Sequence, residues 1–348
     1  MHILFLALGL GVLGLAGVIP PGDPVDDPEL LDSYPKPDTA YYRYLKERRS
    51  KCVGDGAKLA EPVSMKMQKR AYSFTGPTLS LQGKDPDGVV SLGVLGAVKD
   101  FGDESRQALT LFLDRFEQEK VDAVLLLGDI ATSEFELTKI LLFCARRGWP
   151  VLAVIGNSES RAGFNRAVLA ALRATPNIIN MDIVRRVDLG GAVLVSLPGY
   201  LDRRFVHQRS GCTYKARDVR HLDKWTEGAG GPVVLVSHGP PLGQGPLALD
   251  YAAEGGNVGD PDLAEFIREH KIPFGLFSHI LEAGGRSVDG AGQPVAPGKW
   301  SPRLDLNVGS ANPLLWQLNG GKVSCGMAAV FRVKDQQASF APLAFPCP

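Results

Sequence analysis

Short apolar runs alternate along this chain with stretches whose apolar positions recur every three or four residues. Asp103 to Lys120 carries Ala108, Leu109, Phe112, Leu113 and Phe116 at the spacing of one helix face. Val121 to Leu127 follows as an unbroken apolar run, the signature of a buried strand. Ser133 and Glu136 form a capping-box pair that opens a helix ending at Gly148. Pro150 to Ile155 then reads as a strand, Arg161 to Ala174 as a helix, Pro232 to Ser237 as a strand and Pro261 to His270 as a helix. Residues 71–98 predict a hairpin turning at GKDPDG, and Ile183–Val187 predicts a second one with Ala192–Leu197 through Gly190-Gly191. Leu304–Val308 and Ala328–Val333 read as late strands, and Tyr41 to Arg49 as a short early helix. Strand–helix alternation followed by more strands predicts an α/β layered sandwich. No internal repeat is visible.

In such folds ligands sit beyond the carboxyl ends of the strands, so those ends are compared with one another. VLLLGDI places Asp129 after one strand and VLAVIGNSES places Asn157 after the next. VVLVSHGPP places His238 after a third, and FGLFSHILE places His279 after a fourth. Gly128 and Gly156 give the backbone room to turn sharply just before two of these residues. One carboxylate, one amide oxygen and two imidazoles make a mixed nitrogen and oxygen donor set. It suits one divalent transition metal, Mn, Fe or Zn, better than Ca or a thiolate-seeking ion.

The series G-D, G-N-x-E, S-H-G and G-H-x-H, the last written here as Ser278-His279-Ile280-Leu281, resembles that of the calcineurin-like metallophosphoesterases over residues 89–335. HGPPLGQG, GGNVG, SHILEAGGR and LNVGS are similar to the small metallophosphoesterase-domain branch. The resemblance implies a four-layer α-β-β-α sandwich with mixed sheets and two metals close together. It assigns Asp129 as the bridging ligand and Asn157, His238 and His279 as the remaining ligands of the second metal. The first metal's own ligands are absent: Ala97 stands at the family aspartate, Lys99 at the histidine of the first motif and Leu281 at the last histidine. Ser158 stands where the family places a histidine that protonates the leaving group or steadies the phosphate. Lys99 is then placed to extend its ammonium toward Asp129 in lieu of the first metal. Asp100 and Asp103 are the carboxylates that a shifted register would bring there.

Two functional readings follow. One is a metal-dependent phosphoester hydrolase with a reduced, single-metal site and weak or no activity. The other is an exported pseudoenzyme acting as a binding or scaffold module. Any partner is a phosphoester or another small anion. The formal net charge is zero, from 38 basic and 38 acidic side chains, with no basic tract, which argues against nucleic acid. His207, with Arg203 and Arg204, is expected in a solvated loop, with substrate contact as the sharper reading.

Residues 3–19 are apolar or glycine, so residues 1–17 read as a signal peptide or a membrane anchor. Export to the periplasm or the extracellular space is the expectation, with membrane contact only if the segment is retained. Residues 18–70 read as a Pro/Asp-rich tether and short helix, and 71–348 as the metallophosphoesterase-like domain. Of five cysteines, Cys144 falls on an apolar helix face, and Cys52, Cys212, Cys325 and Cys347 are available for one or two disulfides in an oxidising compartment.

Overall fold

The computed structural model describes residues 22–48, 52, 56–83 and 87–347. The expected signal peptide or anchor lies outside the described residues. Two mixed sheets pack face to face. A six-stranded sheet runs, in spatial order, Gln337–Ala344, Met327–Lys334, Val90–Leu95, Ala123–Leu127, Val151–Val154 and Ile178–Asn180. A nine-stranded sheet runs Val63–Met67, Arg70–Phe74, Thr78–Leu81, Arg186–Asp188, Val193–Leu197, Val233–Ser237, Phe274–Phe277, Leu304–Asn307 and Ser287–Val288. Their inner faces meet through fully buried side chains; Phe274 and Phe331 stand edge to face with ring centroids 6.2 Å apart. Burying a phenylalanine of this kind stabilises the fold by roughly 1.5–3 kcal/mol.

Helices close both outer faces, which completes the four layers. Asp103–Gln118 buries the predicted stripe, Ala108, Leu109, Phe112, Leu113 and Phe116. Gly93, on the neighbouring strand, makes room for Phe116: a methyl group there would lie 2.6 Å from the ring's Cγ. Glu134–Ala145 and Arg161–Ala171 complete that layer. On the other side, Pro261–Glu269 and two short helices cover Val193, Leu197, Leu235 and Phe277. The Ser133 hydroxyl caps its helix, accepting from the Glu136 amide at 3.1 Å. The Glu136 carboxylate accepts from the Phe101 amide at 3.5 Å, so the capping box is not reciprocal.

Two larger expectations change. Residues 71–98 are not one hairpin. Arg70–Phe74 pairs with Thr78–Leu81 through a turn at Gly76-Pro77, and the chain then crosses to the other sheet. Gly76 takes φ +101, and proline can donate no ladder bond, so the chain turns there. Residues 18–70 are not a free tether where they are described. Val25 and Leu31 are buried, Arg106 pairs with Asp26 at 3.1 Å, and Arg173 pairs with Asp32 at 2.8 Å. The Ala40–Arg48 helix buries Tyr41, Tyr42, Tyr44 and Leu45, and Val63–Met67 is an edge strand of the larger sheet. Enough apolar surface stands among the prolines and aspartates to pack.

Cys52 is bonded to Cys212 and Cys325 to Cys347, while Cys144 is a buried free thiol. Among the described residues no helix is long and apolar enough to cross a membrane.

Candidate metal centre

Ala123–Leu127 and Val151–Val154 are parallel neighbours in one sheet, and Val233–Ser237 and Phe274–Phe277 are parallel neighbours in the other. Their carboxyl ends emerge at one edge of the sandwich, and there the four predicted residues meet. Two glycines make the approach close enough. A methyl group on Gly128 (φ +79) would lie 2.6 Å from Gly156 Cα and 2.7 Å from His238 Nδ1. One on Gly156 would lie 2.6 Å from Asp129 Oδ1. The backbone is also held in left-handed conformations at Asp129 (φ +51), His279 (φ +64), Ala97 (φ +42) and Lys99 (φ +71). Each costs of order 1–2 kcal/mol at a non-glycine residue, and such strain concentrates at functional sites.

The donor atoms converge. Asp129 Oδ1 accepts from the amides of Asn157 at 3.1 Å and Ser158 at 3.0 Å and lies 3.3 Å from His238 Nε2. His238 Nε2 is 2.6 Å from Asn157 Oδ1, and His279 Nδ1 is 3.0 Å from that oxygen and 3.1 Å from His238 Nε2. Ligand atoms of Asp129, His238 and His279 all lie within 4.8 Å of one another.

The surroundings fix which face each group presents. His238 Nδ1 lies 2.7 Å from the Leu127 carbonyl, which can only accept, so Nδ1 carries the proton and Nε2 presents a lone pair. Asn157 Nδ2 donates to the Phe205 carbonyl at 2.8 Å, which turns Oδ1 inward. Burial, and then the neighbouring His238, push the His279 imidazole down to about 3, so it is neutral. Burial raises the Asp129 carboxyl, but His238, His279, Ser158 and Lys99 together bring it below the ordinary carboxylate range. Asn157 Oδ1, His238 Nε2 and His279 Nδ1 thus lie 2.6–3.1 Å from one another beside a carboxylate. His238 Nε2 and Asn157 Oδ1, both acceptors and 2.6 Å apart, repel each other unless a cation joins them. Metal–nitrogen bonds of about 2.0–2.1 Å place adjacent donors roughly 3 Å apart, so the set fits a divalent transition metal. The His238–Leu127 contact is the kind of outer bond that orients a ligating histidine.

Glu159, the acid of G-N-x-E, is a clip. Its carboxylate accepts from the Ile130 amide and from the Gly156 amide at 2.9 Å, joining the two turns that carry Asp129 and Asn157. Burial and the Asp129 charge push it up to about 8.

The other predicted positions surround these four. Ala97 is buried, and its amide donates to the Gly128 carbonyl at 3.1 Å. Leu281 is buried in the short turn Leu281–Ala283, two residues after His279. Ser158 holds Asp129 through its amide. Lys99 is exposed; its amide donates to the Asp129 carbonyl at 3.0 Å, but its ammonium makes no ion pair with Asp129 and lies 6.0 Å from the Trp316 ring centroid. The expected Lys99–Asp129 pairing is therefore not formed. Asp100 does not turn toward the donor set. Its carboxylate is taken up at the head of the Asp103–Gln118 helix, by the Gly102 amide at 2.9 Å, the Ser105 hydroxyl at 2.6 Å and the Asn312 amide group at 2.8 Å. Asp103 is the first residue of that helix.

His207 is exposed on the rim, where its amide donates to the Asn157 carbonyl at 2.9 Å. Arg203 donates to the carbonyls of Val206 and Arg209, and Arg204 pairs with Asp202. Tyr200 was missed by the sequence reading. Its ring lies 4.1 Å from that of His279, tilted by 42°. It follows the Val193–Leu197 strand, so the strand-end rule applied to a fifth strand finds it. Burial, then Asp202, raises its phenol above the ordinary value.

The model of the family described as calcineurin-like phosphoesterase matches residues 95–283, more than half of the chain. This chain belongs to that family. The matched segment runs from the end of the Val90–Leu95 strand to the turn after His279, and so contains all four donors. Among solved structures, one crystal structure aligns to the phosphoesterase with TM-score 0.52 at 15% identity, covering 74% of this chain and 100% of that one. This likeness shows the fold. A dimetal phosphatase from Danio rerio aligns with TM-score 0.48 at 14% identity, covering 74% and 99% of the two chains. A Thermus thermophilus protein aligns with TM-score 0.46 at 12% identity, covering 73% and 98%. No curated protein sequence matches the chain.

Proposed function

We propose that this calcineurin-like phosphoesterase holds one divalent transition metal on Asp129, Asn157, His238 and His279. There it binds a phosphoester and hydrolyses it slowly. The observation that carries the reading is the asymmetry of the site. Four donors converge, with Asp129, Asn157 and His238 turned inward by their own hydrogen bonds, while the neighbouring positions are Ala97, Lys99 and Leu281. A metal held by the four donors would supply Lewis acidity toward a phosphoryl oxygen.

The chain's own residues set the limits. Asp129 is fixed by the Asn157 and Ser158 amides and brings the negative charge of the set. Ser158 has no pKa useful for protonating a leaving group, so hydrolysis lacks the general-acid contribution of roughly 10²–10⁴. Buried Ala97 and Leu281 offer no donor for a second metal. The same apolar pair favours the second reading, a pseudoenzyme in which the metal lets the cleft hold an anion without turning it over. Export is part of the proposal: the apolar residues 3–19 and two disulfides support a secreted chain in an oxidising compartment.

Hydrolysis of bis(p-nitrophenyl) phosphate by the Mn-loaded wild type and the Asp129→Ala variant tests the choice. A slow rate abolished in the variant supports the hydrolase. Equal background rates with one metal bound only in the wild type support the pseudoenzyme.

A further inference from the structure

Lys99 is a cation beside this site whose ammonium has neither a carboxylate nor a carbonyl partner among the described residues. Among the described residues it makes no ion pair, whereas Arg203 and Arg204 at the rim are held by carbonyls and by Asp202. Its backbone amide donates to the Asp129 carbonyl at 3.0 Å, which places the residue beside the donor set. On its other side stands the Trp316 ring, 6.0 Å from ammonium to centroid. Trp316 begins a small hairpin, Trp316–Gln317 paired with Val323–Ser324, which rests on the Leu281–Ala283 turn. That hairpin region exposes apolar surface beside the site: Leu314 is 65% exposed, Leu315 66% and Trp316 39%. A cavity of about 610 Å³ opens there, lined by Leu315, Trp316, Asn319 and Glu282.

The chemistry of these groups gives the cleft a direction. The phosphoryl charge belongs at Lys99 and at the metal proposed for the donor set, which would be the positive charges here. Glu282 repels an anion from the cavity, while the exposed indole and leucine surface favours an apolar group there. We propose that Lys99 and Trp316 form the substrate subsite: Lys99 takes a phosphoryl oxygen, and the Trp316 wall takes the organic group. The substrate class is then a phosphoester bearing an aromatic or other apolar ester group. The inference rests on the reading that the Asp129 set holds a metal and a phosphoryl group.

Calorimetric titration of the metal-loaded protein with inorganic phosphate and with phenylphosphonate tests it, with metal content measured on every sample. The wild type is expected to bind phenylphosphonate about tenfold more tightly than phosphate. Lys99→Gln keeps its metal and weakens both anions about tenfold or more, and Lys99→Arg recovers most of the loss. Trp316→Ala weakens phenylphosphonate alone, removing the preference. Unchanged affinities in Lys99→Gln, or an intact preference in Trp316→Ala, overturn the subsite and leave the metal reading standing. A wild type that takes up no metal, or binds neither anion, overturns that reading and the subsite with it.

Discussion

Asp182 lies at the foot of the turn that carries Asn157. Its Oδ1 accepts from the Ile155 amide at 3.0 Å, its own amide donates to Asn180 Oδ1 at 2.9 Å, and Oδ2 has no hydrogen-bond partner among the described residues. Burial pushes the carboxyl up from 3.8 to about 7, against the lowering effects of the Ile155 bond and Arg185. The folded chain therefore holds this proton more tightly than the unfolded chain does. The stability contributed is full below about pH 4 and is lost as pH rises to about 7. A factor of ten in a proton equilibrium is worth about 1.4 kcal/mol, so ionisation of this one group costs the fold up to about 4 kcal/mol. Asp182→Asn keeps the acceptor for Ile155 and cannot ionise. Urea denaturation of both proteins at about pH 4.5 and about pH 8 reads the difference. Relative to wild type, the variant should gain at least about 2 kcal/mol on going from the lower pH to the higher. The same stability difference at both pH values would refute the reasoning.

The remaining predictions concern the site and its supports. Gly128→Ala forces a side chain into φ +79, with its methyl 2.6 Å from Gly156 Cα, and should cost about 3 kcal/mol or more and lower metal content. A thermal melt within a degree of wild type would count against it. Restoring the first-metal ligands with Ala97→Asp, Lys99→His and Leu281→His together should raise bound metal from about one to about two per chain, read by elemental mass spectrometry. No gain would mean that the turn after the Val90–Leu95 strand does not face the second position. Replacing Cys52 and Cys212 by alanine removes a bond that spans a separation of 160 residues and should cost about 2–5 kcal/mol, read as a lower urea midpoint. An unchanged midpoint would show that this bond does not restrain the fold.

Much of this arrangement was legible because its causes are local. The helix stripe at Ala108–Phe116 and the apolar runs before Asp129, Asn157, His238 and His279 each declare an element through their own periodicity. The strand-end rule then brings the four residues to one edge without any knowledge of the sheets. What escaped depends on partners distant in sequence. The Val90–Leu95 strand pairs with Met327–Lys334, far along the chain, so the reading of 71–98 as one hairpin missed the crossing between sheets. Glu159 was legible as a motif member but not as the clip between two turns, because Ile130 meets it only in the folded chain. Lys99 was expected against Asp129, but its side chain lies toward Trp316, on a hairpin equally remote in sequence.

In the proposed function, four donors define one metal position, and the position beside it is without ligands of its own. Elemental mass spectrometry on protein purified without chelators, with Asp129→Ala alongside, tests this most directly. The prediction is about one Mn, Fe or Zn per wild-type chain and none in the variant. About two per chain, or equal content in both proteins, would contradict it.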